Sequence, residues 1–130
     1  MGEVYPIEKI TRSILVVDDS ESIREAIDIA LTGAGYQVFK AVDGVDGIKS
    51  LRAHEVDLVI TDLNMPNMDG IGLVQEIRKD SNNRFLPILI LTTESQNIKR
   101  MEARKAGATG WIVKPFVKDQ LVGVIKKVLR

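Results

Sequence analysis

Residues 14–35 read ILVVDDSESIREAIDIALTGAG. Four aliphatic residues come first without a polar break, three of them β-branched. A short run that is apolar throughout suits a strand covered on both faces. The period then changes. Ile23, Ala26, Ile27, Ala30 and Leu31 recur at steps of three and four, and Gly33 and Gly35 supply stop signals. This stretch spells a strand followed by a helix, and Asp18 and Asp19 sit at the junction.

The same unit returns along the chain. Apolar segments at 36–41 (YQVFKA), 56–60 (VDLVI), 88–91 (ILIL) and 111–113 (WIV) predict four more strands, near-continuous in apolar residues except 36–41, which mixes in polar positions. Helical spacing follows each of them. It is carried by Val45, Ile48 and Leu51, by Ile71, Val74 and Ile77, by Ile98 and Met101 up to Gly107, and by Leu121, Val124, Ile125 and Val128. Strand and helix alternate five times. That pattern predicts an α/β fold in which a five-stranded parallel sheet is doubly wound as (βα)5. Residues 1–12 precede the first strand and read as a short N-terminal arm, and residues 13–130 as a single domain.

Composition fits this reading and removes several functions. The chain has 130 residues, 45% hydrophobic and 28% charged, which suits one globular domain with its own core. It has no cysteine and one histidine, His54. Thiolate metal sites, disulfides and cysteine nucleophiles are thereby excluded. Lysines and arginines balance aspartates and glutamates at 18 each, which argues against nonspecific nucleic-acid binding. The balance hides a polarity: residues 1–70 hold 13 acids and 6 bases, and residues 71–130 hold 5 acids and 12 bases. No apolar run approaches the ~20 residues of a membrane helix. Residues 1–12 lack a signal-peptide pattern, and Pro6 stands where myristoylation wants serine or threonine. A cytoplasmic protein is the expectation.

In open α/β sheets, ligands bind beyond the carboxyl ends of the strands, where strand order reverses. Asp18 and Asp19 follow the first strand, Asp62 and Asn64 the third, Thr92 and Thr93 the fourth, and Lys114 and Pro115 the fifth. Asp43 and Gly44 follow the second and read as an ordinary turn. Taken singly, such residues are most often turns, helix caps or solvated side chains. Together at four strand ends they form a site. Three converging carboxylates repel one another. A hard divalent cation such as Mg2+, which takes oxygen ligands, relieves that repulsion, and Lys114 completes the charge balance. A carboxylate held in this way is a nucleophile for phosphoryl transfer. Asp62, alone after its strand, is the chosen nucleophile, and the adjacent Asp18 and Asp19 are read as the metal-holding pair.

Four blocks also carry a family resemblance: ILVVDDS (14–20), DLVITDLNMPNMDG (57–70), PILILTTES (87–95) and AGATGWIVKPF (106–116). The chain resembles the receiver domain of two-component response regulators, and within that family the stand-alone CheY chemotaxis type, from about residue 13 to residue 129. The resemblance implies a flavodoxin-like fold. It implies that Asp62 accepts phosphate from a histidine kinase, here a chemotaxis CheA-like one. Asp19, Asp62 and the Asn64 backbone carbonyl would ligate Mg2+, with Asp18 acting mostly through water. Thr92 and Trp111 would form a coupled switch, and Lys114 would contact the phosphoryl group, with a cis bond to Pro115. Thr93 and Glu94 neighbour the site, and both Trp111 and Thr93 are bulkier than the family's usual residues.

The readout surface would be the fourth helix, fifth strand and fifth helix, where Lys99, Arg100, Arg104 and Lys105 face one acid, Glu102. It would meet a flagellar motor switch protein or another target, with a phosphatase as a further partner and neither nucleic acid nor membrane. The kinase would dock near the first helix. Catalysis would be limited to self-phosphorylation and self-dephosphorylation.

Rival readings fare worse. An aspartate-nucleophile phosphatase of the haloacid-dehalogenase type wants a second aspartate where Asn64 stands. An EF-hand loop fails at Pro66 and Asn67. Gly70 and Gly72 lack a third glycine for a dinucleotide loop, and there is no Gly-Lys-Ser/Thr for a P-loop. A phosphorelay shuttle or a developmental single-domain regulator shares every residue of the preferred reading.

Overall fold

The computed structural model describes Gly2 and residues 11–130. The arm read at 1–12 lies, apart from Gly2, Thr11 and Arg12, outside the described residues. Strands β1 (Ser13–Val17), β2 (Gln37–Ala41), β3 (Leu58–Thr61), β4 (Ile88–Thr92) and β5 (Gly110–Val113) alternate with helices α1 (Glu21–Gly33), α2 (Gly44–Ala53), α3 (Gly70–Lys79), α4 (Asn97–Ala106) and α5 (Lys118–Val128). A 3-10 turn at Ser81–Asn83 follows α3. The sheet order is β2-β1-β3-β4-β5, and every pairing is parallel. The five-stranded, flavodoxin-like fold expected from the sequence is therefore the one formed.

Period-two alternation splits the core between the two faces of the sheet. Ile14 and Val16 of β1, Leu58 and Ile60 of β3, and Leu89 and Leu91 of β4 pack with Ile27 and Leu31 of α1 and Leu121 and Ile125 of α5. Leu15, Val17, Val59, Ile88 and Ile90 point the other way, toward Leu73, Val74 and Ile77 of α3 and Ala103 of α4. Both faces of the three central strands are thus covered, which is why their polar residues, Ser13, Thr61 and Thr92, stand only at strand ends. The mixed composition of β2 reflects its place at an edge. β5 is the opposite edge, and its uniform apolar run did not reveal that: Val113 is 39% exposed.

Sequence spacing misplaced the buried face of α4. Ile98 and Met101 are 65% and 61% exposed, and the helix buries Ala103 instead. A small residue lets α4 lie close to the sheet, and the larger apolar side chains are left on the solvent side. In α2, similarly, Gly44 and Gly47 are buried while Val45 is exposed.

The topology fixes where a site can form. The chain leaves β1 toward β2 on one side and returns to β3 on the other, so the order reverses between β1 and β3. Val17 and Thr61 are register partners at the ends of those two strands. The residues that follow them, Asp18 and Asp62, therefore emerge side by side.

Candidate functional site

Asp62 and Asp18 leave their strands in register, and the backbone continues that register for one more residue. The Asp62 amide donates to the Val17 carbonyl at 2.9 Å, and the Asp18 amide to the Ala41 carbonyl at 3.1 Å. On the other side, Thr92 and Val113 are register partners, and the Lys114 amide donates to the Thr92 carbonyl at 2.8 Å. Strand register thus delivers Asp18, Asp62, Thr92 and Lys114 to one edge of the sheet.

Lys114 is central there. Its Nζ donates to Asp18 Oδ2 at 2.7 Å and to Asp62 Oδ2 at 3.2 Å. The three side chains are only 10%, 3% and 12% exposed. Burial works against the Lys114 charge, but the hydrogen bond and attraction to Asp18, reinforced by Asp62, outweigh it and raise its pKa above the ordinary lysine value. The second oxygens of the two acids are occupied as well. Asp18 Oδ1 accepts from the Ser20 amide at 2.9 Å, and Asp62 Oδ1 from the Leu63 amide at 2.7 Å. Ser20 in turn caps α1 by accepting from the Ile23 amide. The peptide bond between Lys114 and Pro115 is cis, as the family resemblance implied.

Asp18, Asp19 and Asp62 each offer a carboxylate oxygen within 4.8 Å of the others. Asp19 is exposed and Asp18 is buried, so the cluster opens to solvent on one side. Three hard oxygen donors, carrying one positive charge from Lys114, suit a divalent cation of the Mg2+ type. The donor set fits that ion. Asn64, the fourth residue read as a ligand through its carbonyl, lies two residues beyond Asp62 and is exposed.

The remaining candidates divide. Thr92 is buried, and its hydroxyl oxygen accepts from the Glu94 amide at 3.2 Å, which leaves the hydroxyl proton free to be donated. Glu94 caps the following loop, accepting from the amides of Ser95 and Gln96 at 3.1 and 3.0 Å. Thr93 is exposed. Trp111 is half-buried against the α3–α4 face of the core. Its indole Nε1 is buried and has no hydrogen-bond partner, and the Arg100 guanidinium lies 5.7 Å from the ring centroid.

Sequence reasoning missed three supports. Arg24 of α1 donates to the Asp18 carbonyl at 2.6 Å. Gly70 packs so tightly behind the site that a Cβ there would clash with the Asp62 carbonyl oxygen and stand 2.9 Å from Leu63 Cα. Asp43, read as a turn residue, is buried, caps α2 and accepts from Asn67 at 2.7 Å. A glycine opening a helix after an aspartate was the one visible sign of the Gly70 contact. The Asp43 contact depends on a partner 24 residues later, and the Arg24 contact on a side chain of α1 folding back onto the loop six residues before it.

Comparison with known proteins agrees with this geometry. The model of the response regulator receiver domain matches residues 14–126. The chain belongs to that family. It is similar to the chemotaxis protein CheY4 of Vibrio cholerae, at 41% identity and a TM-score of 0.88, covering 92% of this chain and 99% of that one. It also resembles the receiver domain of the Pseudomonas aeruginosa sensor histidine kinase PA1611, whose structure holds a magnesium ion coordinated in the active-site cleft. There the identity is 28% and the TM-score 0.84, over 92% of this chain and 98% of that one. Among full sequences, the probable transcriptional regulator ycf27 of Porphyridium aerugineum is 40% identical over 117 residues, which is 90% of this chain and 48% of that protein. The chain spans about half the length of the curated relatives it matches. As a receiver domain it works in two-component signalling, a setting of histidine kinases and target proteins. No described helix is long and apolar enough to cross a membrane.

Proposed function

We propose that this receiver domain accepts a phosphoryl group on Asp62 from a CheA-like histidine kinase and switches a protein-binding surface that controls a flagellar motor. The observation that carries the phosphoacceptor reading is the shared ammonium. Lys114 bridges Asp18 and Asp62 in a largely buried site, so one ammonium offsets the repulsion between two neighbouring carboxylates and holds Asp62 in place as a nucleophile.

In the transfer, an Asp62 carboxylate oxygen forms the new bond to phosphorus as the bond to the kinase histidine nitrogen breaks. Asp18, Asp19, Asp62 and the Asn64 carbonyl would hold Mg2+, which when bound supplies positive charge to the phosphoryl oxygens. Lys114 moves its ammonium contact from the Asp62 carboxylate to a phosphoryl oxygen. The Thr92 hydroxyl donates to another. Beyond this self-phosphorylation and the matching self-dephosphorylation, no further catalysis is assigned to the chain, and a separate phosphatase is a natural partner.

Phosphorylation replaces a singly charged carboxylate by a group of about two negative charges. Thr92 and Lys114 share a backbone hydrogen bond, so their response is joined, and Trp111 of β5 stands opposite Ile90, two register positions before the Thr92–Val113 pair. The readout surface is α4, β5 and α5, where exposed basic residues suit an acidic partner. The likeness to CheY4 supports the motor reading and a cytoplasmic setting. The likeness to ycf27 supports a transcriptional output for the same phosphoacceptor.

Incubation with acetyl phosphate and Mg2+ tests the central claim. Wild-type protein becomes labelled and Asp62→Asn does not; label retained in Asp62→Asn places the nucleophile elsewhere. Capture of a flagellar motor switch peptide by the phosphorylated form alone separates the motor reading from the transcriptional one.

A further inference from the structure

The loop between Asp62 and α3 contains a strained turn that the chemistry above does not use. The Met68 amide donates to the Pro66 carbonyl at 2.7 Å, closing a three-residue turn whose central residue, Asn67, has a φ of 68°. Among the described residues no other non-glycine residue has a positive φ. Three-residue turns with a left-handed centre are rare and strained. Such conformations persist where the surroundings over-determine them, and they cluster at functional sites.

The restraint comes from the start of α2. Asn67 Nδ2 donates to Asp43 Oδ2 at 2.7 Å. The other Asp43 oxygen accepts from the Asp46 amide at 2.8 Å, so one buried carboxylate is fixed at both ends, to the helix cap and to the turn. The Gly44 amide donates to the Met68 carbonyl at 3.2 Å. The approach is so close that a Cβ at position 44 would lie 2.7 Å from that oxygen. The carboxylate is held below the usual aspartate range by the Asp46 amide first and by Asn67 second, in keeping with a permanently charged acceptor.

We propose that Asp43 and Asn67 are a positioning pair for the divalent-cation site. Residues 63–66 run between two fixed points, Asp62 at the end of β3 and the clamped turn at Asn67. Pro66 stiffens the second half of that short path. Holding Asn67 therefore sets where the Asn64 carbonyl lies relative to the aspartate cluster. Neither Asp43 nor Asn67 touches the cation; both act through the loop. The inference rests on the proposed function, which places that carbonyl on Mg2+.

Calorimetric titration of Mg2+ into the full chain tests it. Asn67→Gly keeps the left-handed conformation accessible and removes the amide. Asp43→Ser keeps a competent helix cap and is too short to reach Asn67. Each single variant is expected to weaken Mg2+ binding about tenfold. The double variant binds no more weakly than the weaker single one, because both changes remove the same bond. Asp28→Asn, which loosens an ion pair with Lys40 of β2, serves as a control that lowers stability without altering Mg2+ affinity. Single variants within about twofold of wild type, effects that multiply in the double variant, or an equal loss in the control overturn the positioning pair. Absence of Mg2+ binding by the wild-type chain overturns the proposed function and this inference with it. Normal binding by wild type and by the variants overturns the inference alone.

Discussion

Lys114 and Asp18, ninety-six residues apart, form a 2.7 Å hydrogen-bonded ion pair with almost no exposure on either side chain. Such a pair is costly to break from one side, because the partner left behind is a buried, uncompensated charge. Asp18 is further committed: its second oxygen holds the Ser20 amide and its carbonyl holds Arg24. It cannot turn away to reach solvent without releasing the start of α1.

Replacing Lys114 by methionine is therefore expected to destabilise the metal-free protein by about 3 kcal/mol. Saturating Mg2+ recovers much of that loss, since a cation that binds only the folded state adds stability by mass action. Urea unfolding with chelator and with Mg2+ measures both. Equal losses in the two buffers would show that the lysine acts by packing rather than by charge.

The close approach behind the nucleophile gives a second expectation. Gly70→Ala places a Cβ against the Asp62 carbonyl and Leu63, two backbone groups that cannot rotate aside. A loss of about 1–3 kcal/mol follows, together with slower labelling by acetyl phosphate as Asp62 is displaced. Gly123→Ala on α5 is the counterpart: a Cβ there meets nothing within 4 Å, and the change stabilises by about 0.4–1 kcal/mol. Denaturation midpoints of the two variants should move in opposite directions.

Away from the site, Asp28 supplies a pH test. The Thr32 hydroxyl donates to it at 2.7 Å, Lys40 pairs with it at 2.9 Å, and the two together lower its pKa, the threonine contributing most. A carboxylate depressed in the folded state adds stability that is present above the unfolded value of about 3.9 and is lost as the pH falls through the folded value. Thr32→Val removes the largest cause, so the Asp28 carboxyl should titrate closer to 3.9 in a carbon-detected NMR titration. An unchanged titration would assign the shift to Lys40.

The order of strands and helices was legible because the three inner strands are buried on both faces and so carry unbroken apolar sequence. Elements with less to bury were read less well. α4 seats itself on Ala103, and spacing of large apolar residues pointed to Ile98 and Met101 on its solvent side. The carboxylates, Thr92 and Lys114 were legible because each follows a strand, and parallel strands end at one edge. Asp43 follows a strand as well, yet its role depends on Asn67, 24 residues later, and on a backbone conformation that a Pro-Asn dipeptide permits but does not demand. Linear order shows which groups reach the edge of the sheet; it does not show which loops lean on one another there.

Trp111 tests the switch. It is the chain's single tryptophan, so emission reports on β5 alone. Its buried indole N–H has no acceptor, a state that costs about 1–3 kcal/mol, and its ring is faced by the Arg100 guanidinium. The ring therefore sits in a position with an unmet hydrogen bond, held by packing and by a cation–π contact of about 0.5–1 kcal/mol. A rearrangement at Thr92, which pairs with Val113 two positions beyond the Ile90–Trp111 pair, has little to overcome in moving it. Adding Mg2+ and acetyl phosphate should change the emission of wild type and of Lys114-containing variants that still label, and leave Asp62→Asn unchanged. Arg100→Ala should make the ring easier to displace, so that Mg2+ alone produces part of the change. A spectrum that stays fixed while the protein is fully labelled would uncouple Trp111 from the phosphoacceptor and leave the basic face of α4 to act through another route.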